Sequence, residues 1–155
     1  MFHVRPPEPR YSFIWDLNVC LTFLESKFPL LALELSVKTL KTAALVALVS
    51  AQRSQTLSAL SIEFMNSTAT DNQFEVNSLL KSSRPGKSSL IVSLPAFPEN
   101  EKLCALSTLL HYVARAVSIR QPLNSSKVSV SYGKHCKVDS SATLSRWLKA
   151  VLSLA

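Results

Sequence analysis

The stretch SVKTLKTAALVALVSAQRSQTLSAL, Ser36–Leu60, holds the pattern on which the fold turns. Its apolar positions Val37, Leu40, Ala44, Leu45, Leu48 and Val49 crowd one another at helical spacing, which predicts a central helix buried on most sides. Ser36 has a side chain suited to cap its start. Beyond Ala51-Gln52-Arg53, the spacing of Leu57, Leu60 and Ile62 predicts a second, shorter helix, leaving Arg53 at the junction of two packed elements. A guanidinium between buried helices needs an anionic partner or several acceptors, because an isolated buried charge is expensive. A phosphate would serve; so would Glu63 or the carbonyls of a helix end.

Working outward toward the N-terminus, Ile14, Leu17, Cys20, Leu21 and Leu24 recur at three and four from Ile14 to Lys27, with Asp16 in the first turn of the helix they predict. Pro29 breaks that pattern. Residues 1–10 carry Pro6, Pro7 and Pro9 between Arg5 and Arg10, a composition for an extended arm or linker. One domain is expected over residues 11–155.

On the other side, Gln73–Leu80 and Leu90–Leu94 read as strands flanking Ser82-Ser83-Arg84-Pro85-Gly86-Lys87, where Pro-Gly supplies a tight turn. The expectation is a β-hairpin with a basic tip, formed by Lys81, Arg84 and Lys87. Such a tip can touch phosphates, although charged turns are also common as solvated loops. Pro95 and Pro98 end the second strand. A long helix then follows over Glu101–Ser118, with Leu103, Leu106, Leu109, Leu110 and Val113 on its apolar side. Val128, Val130 and Tyr132 alternate as in a short strand, Gly133–Lys137 form a basic loop, and Ser140 can cap a last helix carrying Leu144, Trp147, Leu148 and Val151. The predicted class is α+β, mainly helical with a small antiparallel β-hairpin sheet.

Composition sets the bounds. With 47% hydrophobic and 17% charged residues in 155, the chain can build a core and lacks the signature of disorder. A net charge of +7 favours nucleic-acid phosphates or anionic membrane surfaces as partners. Cys20, Cys104 and Cys136 form no CxxC pair and MFHVRPPEPR has no signal-peptide core, so a reduced, intracellular setting is expected. The longest apolar run, Ala43–Ala51, covers about half of what a bilayer requires, which predicts no transmembrane segment. His135 and Cys136 lack further ligands at metal spacing, so no metal or other cofactor is expected. His111, Tyr112 and Arg115 share one helical stretch and read as surface residues, while Trp15 and Trp147 read as core anchors.

Taken in order, the pieces resemble the catalytic domain of the tyrosine recombinase, or phage integrase, family. Ser50-Ala51-Gln52-Arg53-Ser54-Gln55-Thr56-Leu57-Ser58-Ala59-Leu60 looks like its first arginine box, in the Gln-Arg and Gln-Thr-Leu form that most resembles recombinases of DIRS-type retroelements. The hairpin Leu79-Leu80-Lys81-Ser82-Ser83-Arg84-Pro85-Gly86-Lys87 is similar to the one carrying the family's catalytic lysine, and Val130-Ser131-Tyr132 with Leu144-Ser145-Arg146-Trp147-Leu148 is similar to the stretch that follows. Two positions depart from the wider pattern: Ala51 stands where the turn usually has Gly, and Thr56 where Glu often braces the box.

The resemblance implies that Arg53 and Lys81 are catalytic, the arginine stabilising a scissile phosphate and the lysine protonating the leaving oxygen. It also implies DNA binding by Arg53, Lys81, Arg84 and Lys87, DNA as partner, assembly of copies on DNA, a nuclear setting, and a role in DNA recombination and integration. No membrane or small-molecule partner is implied. The family's His-x-x-Arg box and nucleophilic tyrosine would come after the last helix, so the chain is expected to be catalytically incomplete alone. Tyr11, Tyr112 and Tyr132 lie in the wrong segments to replace the nucleophile. The competing expectation is a non-enzymatic interaction or remnant protein whose basic face is merely solvated. Catalysis shared between copies is a third reading.

Overall fold

The computed structural model describes residues 15–78, 80, 86, 89–123, 125–130 and 140–155. The class is α+β: six α-helices, short 3-10 turns and one three-stranded antiparallel sheet among the described residues. The residues 1–10 arm, the hairpin tip with Lys81, Arg84 and Lys87, Tyr11, Tyr132 and the loop Gly133–Lys137 lie outside the described residues.

Helix α1 (Leu17–Ser26) begins one residue after Asp16, whose carboxylate accepts the Asn18 N–H at 2.8 Å. Asp16 is therefore the cap rather than a first-turn residue, and satisfies one of the orphan donors of the helix start. Cys20 and Leu24 are buried, as the spacing predicts. Trp15 is 49% exposed, which corrects its expected role as a core anchor.

Helix α2 (Leu35–Ser50) is the central helix. It packs on α4 (Ala105–Arg115), on α6 (Ser141–Leu154) and on strand β3 (Leu90–Pro95). Its start is not capped by Ser36; Glu34 occupies the cap position without a side-chain bond. Its inward face is also not the one the leucines suggest: Lys38, Thr39, Lys41 and Thr42 are buried beside Ala44, Leu45 and Val46, while Leu48 and Val49 are exposed. Thr39 and Thr42 hydroxyls donate to the carbonyls of Leu35 and Lys38, so their burial costs little.

The last turn of α2 closes on Ala51, at φ 52 and ψ 26. Its N–H donates to the Ala47 carbonyl at 2.9 Å, and the Ser50 hydroxyl donates to the Val46 carbonyl at 2.6 Å. This left-handed cap satisfies carbonyls left over at the helix end, but a Cβ at positive φ is unfavourable. Ala51→Gly is expected to raise stability by about 0.5–1 kcal/mol, read as a higher urea midpoint with unchanged slope.

The sheet is β1 (Met65–Ser67), β2 (Asp71–Val76) and β3, in the order β1-β2-β3. Phe74 pairs with Val92 and Asn72 with Leu94, and all four side chains turn inward. The predicted hairpin is present as the β2–β3 pair, although β2 ends at Val76, short of Leu80. Gly86 lies at φ +79, the angle a Pro-Gly turn asks of its glycine. Strand β1 is an addition to the sequence reading, set by its pairing with β2 across a turn in which the Thr68 hydroxyl accepts the Asp71 N–H.

The predicted long helix divides. A 3-10 turn (Glu101–Leu103) precedes α4, and a separate α5 (Val117–Leu123) follows Ala116. Tyr112 is not a surface residue: it is buried, donating its hydroxyl to the Val130 carbonyl at 3.2 Å and accepting the Val130 N–H at 3.1 Å. Arg115 is exposed and His111 half-buried. Ser140 caps α6 as predicted, its hydroxyl accepting the Thr143 N–H at 3.3 Å. Leu144, Trp147 and Val151 form the buried face of α6, so Trp147 is a core anchor.

Candidate nucleic-acid interface

Arg53 occupies the N-cap of α3 (Ser54–Ala59), in extended backbone at φ −73 and ψ 154. It lies between two packed helices in sequence, as expected, but its side chain is exposed. Ala51, two residues earlier, lies in the left-handed region, and the exposure of Arg53 corrects the expectation of a buried guanidinium. An exposed guanidinium keeps its planar set of donors for a phosphate or carboxylate from outside.

Short α3 is held at both ends. At its start, the Ser145 hydroxyl of α6 donates to the Ser54 hydroxyl at 2.9 Å. At its far end, Val128 N–H donates to the Leu60 carbonyl at 3.0 Å and Ile62 N–H to the Ser126 carbonyl at 2.7 Å. The Ser61 hydroxyl also donates to Ser126, and Lys127 Nζ donates to the Ala59 carbonyl at 3.2 Å. Thr56 and Leu57 are buried beneath the helix. Thr56, at the position where the resembled family often has Glu, thus serves the packing of α3.

The segment holding α3 is held in turn by Arg120 of α5, the guanidinium this fold buries among its described residues, at 8% exposure. Arg120 donates through Nε to the Lys127 carbonyl at 3.1 Å, through Nη1 to Val113 at 3.2 Å and through Nη2 to Val128 at 2.7 Å. Burial pushes its pKa down, and Tyr112 opposes that shift. A buried guanidinium with several acceptors is present, but it belongs to Arg120 rather than Arg53. Residue 120 has no sequence signature beyond being a lone charge two turns after the apolar stretch of α4. A groove of about 470 Å³ beside it is lined by Glu63, Gln121, Ser125 and Ser126 among others. Arg120 spends its donors on carbonyls and offers that groove little.

Charge is sorted over the fold. No Asp or Glu occurs between Glu34 and Glu63 or from Ser140 to Ala155, the segments that form α2, α3 and α6. The outer side of the sheet carries Asp71 and Glu75 instead. Hydrogen bonds from Gln73 and then Ser93 hold the Asp71 carboxyl below the usual carboxylate range.

The structure thus places Arg53, while Lys81, Arg84 and Lys87 fall outside the described residues. Among the described residues no group of three or more His, Cys, Asp or Glu could hold a metal, and no helix is long and apolar enough to cross a membrane. Comparison with family models, with curated proteins and with solved structures finds no match for this chain.

Proposed function

We propose that this chain is a DNA-binding segment of a tyrosine-recombinase-like catalytic core, acting in DNA recombination or integration. In this reading Arg53, Lys81, Arg84 and Lys87 contact the phosphodiester backbone. Lys81 would be the proton donor to the leaving oxygen and Arg53 the stabiliser of the phosphate's charge. Support comes from the linked motifs of the arginine box and hairpin, from the net charge of +7, and from the absence of Asp and Glu in α2, α3 and α6.

The observation that carries the reading is Arg53 itself: an exposed guanidinium on a short helix fixed at both ends, presented by a turn whose residue adopts a glycine-like conformation. A structural arginine would be spent on internal acceptors, as Arg120 is. Arg53→Ala is expected to weaken binding to a fluorescent DNA duplex about tenfold, the scale of one charge-assisted contact, and to shallow the salt dependence by about one unit of slope. Unchanged affinity in the variant would remove Arg53 from the interface.

A protein-interaction role is favoured by a different observation, the exposure of Leu48 and Val49 near the end of α2 and of Leu154 on α6. Self-association without DNA binding in the same assay would select it.

A further inference from the structure

Strand β3 is an edge of the sheet that the described fold leaves open. The Ala96 N–H donates to the Thr70 carbonyl at 2.8 Å, which fixes the alternation of the β2–β3 ladder. Counting back from that bond in steps of two, Leu94, Val92 and Leu90 exchange backbone bonds with Asn72, Phe74 and Val76. Ile91 and Ser93 therefore aim both N–H and C=O away from β2, and no strand or loop among the described residues takes them up. Solvent reaches this edge: Leu90, Ile91, Ser93 and Pro95 are all exposed, Ile91 at 60%. Pro95, with no N–H to present, is at home on such an edge. The opposite edge, β1, is three residues long and offers little to pair with. Charge sets β3 apart as well. No residue between Lys87 and Glu99 is charged, in a chain of net charge +7. Open edges are commonly guarded by a lysine or another charge, and this one has none. A second copy, repelled by a basic surface elsewhere, meets no like charge along β3.

We infer that β3 is a dimer edge: two copies pair β3 to β3, antiparallel and centred on Val92, joining their sheets into one. In this register Ile91 of each copy exchanges both backbone bonds with Ser93 of the other. A slip by one residue would set these free groups against those of Val92, which β2 already holds, so the register follows from which groups are free. Ile91 of the two copies become diagonal neighbours on the outer face, which covers the most exposed side chain of the strand. On the inner face Leu90, 38% exposed, lies opposite Leu94 of the other copy. The inference is independent of the DNA-binding reading. An extended segment of another protein would fit the same edge, in which case the chain alone stays monomeric.

The test is sedimentation of the whole chain over a concentration series, without DNA, for the parent, Ile91→Lys and Leu48→Lys. A monomer–dimer equilibrium is expected, tightening as salt is raised to about 0.5 M and repulsion between basic surfaces is screened. Ile91→Lys, which sets like charges diagonally across the pairing, is expected to weaken it about tenfold. Leu48→Lys, on the exposed end of α2, is expected to leave it unchanged. Hydrogen exchange in the parent locates the interface without a variant. In dilute protein the Val92 and Leu94 amides are protected while those of Ile91 and Ser93 exchange freely, and the latter two slow as the protein is concentrated. A chain that stays monomeric at high salt overturns the inference. So does a dimer in which Ile91 and Ser93 still exchange freely, or one that Leu48→Lys abolishes and Ile91→Lys leaves intact.

Discussion

Replacing Arg120 with methionine is expected to destabilise the protein by about 3 kcal/mol, far more than a change at an exposed arginine. The guanidinium binds the carbonyls of Val113, Lys127 and Val128, and methionine fills much of the volume while supplying no donor. Carbonyls left without partners inside the fold carry the cost of their lost solvation. Lysine is expected to rescue poorly, since one ammonium cannot reproduce the spread of donors that reaches two backbone segments. The effect should also reach the candidate interface. Val128 and Ser126 hold the end of α3, so freeing their segment loosens the helix that presents Arg53. Urea unfolding measures the first effect. A loss below about 1 kcal/mol would mean that water entering from the adjoining groove replaces the arginine as donor.

The second large effect concerns Lys41, 1% exposed on the inner side of α2. Its ammonium donates to the Lys27 carbonyl at 2.7 Å and lies 5.9 Å from the centre of the Phe28 ring. Burial pushes its pKa down to about 8, with Glu25 pulling it back up and Lys102 adding to the depression. The Glu25 carboxylate is itself engaged by the Asn100 amide. A base whose folded pKa is depressed disfavours folding while it is protonated. Below pH 8 the penalty is therefore fully present, and it is relieved as pH rises from about 8 toward the unfolded value of 10.5. Lys41→Met is expected to stabilise the protein at pH 7 by on the order of 1–3 kcal/mol, the lower end reflecting screening and the lost bond to Lys27. The difference between variant and parent should shrink above pH 8. Comparing the two chains matters, because burial raises the Cys20 thiol pKa and so lowers stability in the alkaline range in both. A difference that stays flat from pH 7 to pH 10 would show that Lys41 is not desolvated in the folded state.

Lys41 and Arg120 also show where the sequence was readable and where it was not. Period and punctuation were legible: the spacing of Leu144, Trp147 and Val151 after Ser140 specified α6 with its cap, and the alternation around Pro-Gly specified the β2–β3 pair. The direction a helix faces was not, when its whole surface is apolar or short. In α2 the leucines and valines offered several inward faces, and packing on α4, α6 and β3 selected one that includes two lysines and two threonines. Leu48 and Val49 were displaced outward as a consequence.

Polar residues that serve the backbone were the harder part. Tyr112 reads as a surface residue beside His111 and Arg115, yet one hydroxyl satisfies both backbone groups of Val130, a partner eighteen positions away that no local pattern announces. Strand β1, with Asn66 and Ser67, has little strand propensity and forms because β2 offers it a register. For the candidate site, Arg53 was legible through its place between two apolar periods, but neither its exposure nor the left-handed conformation of Ala51 before it was, since an alanine does not signal such a turn.

If this basic chain grips DNA phosphates, as proposed, the salt dependence of binding by the parent will show it. With contacts from Arg53, Lys81, Arg84 and Lys87, the logarithm of the association constant should fall linearly with the logarithm of salt, at a slope of roughly −3 to −4. Affinity for unrelated duplexes should differ little. No binding at low salt, or a slope near zero, would contradict the phosphate-contact account and leave the exposed apolar positions of α2 and α6 as the functional surface.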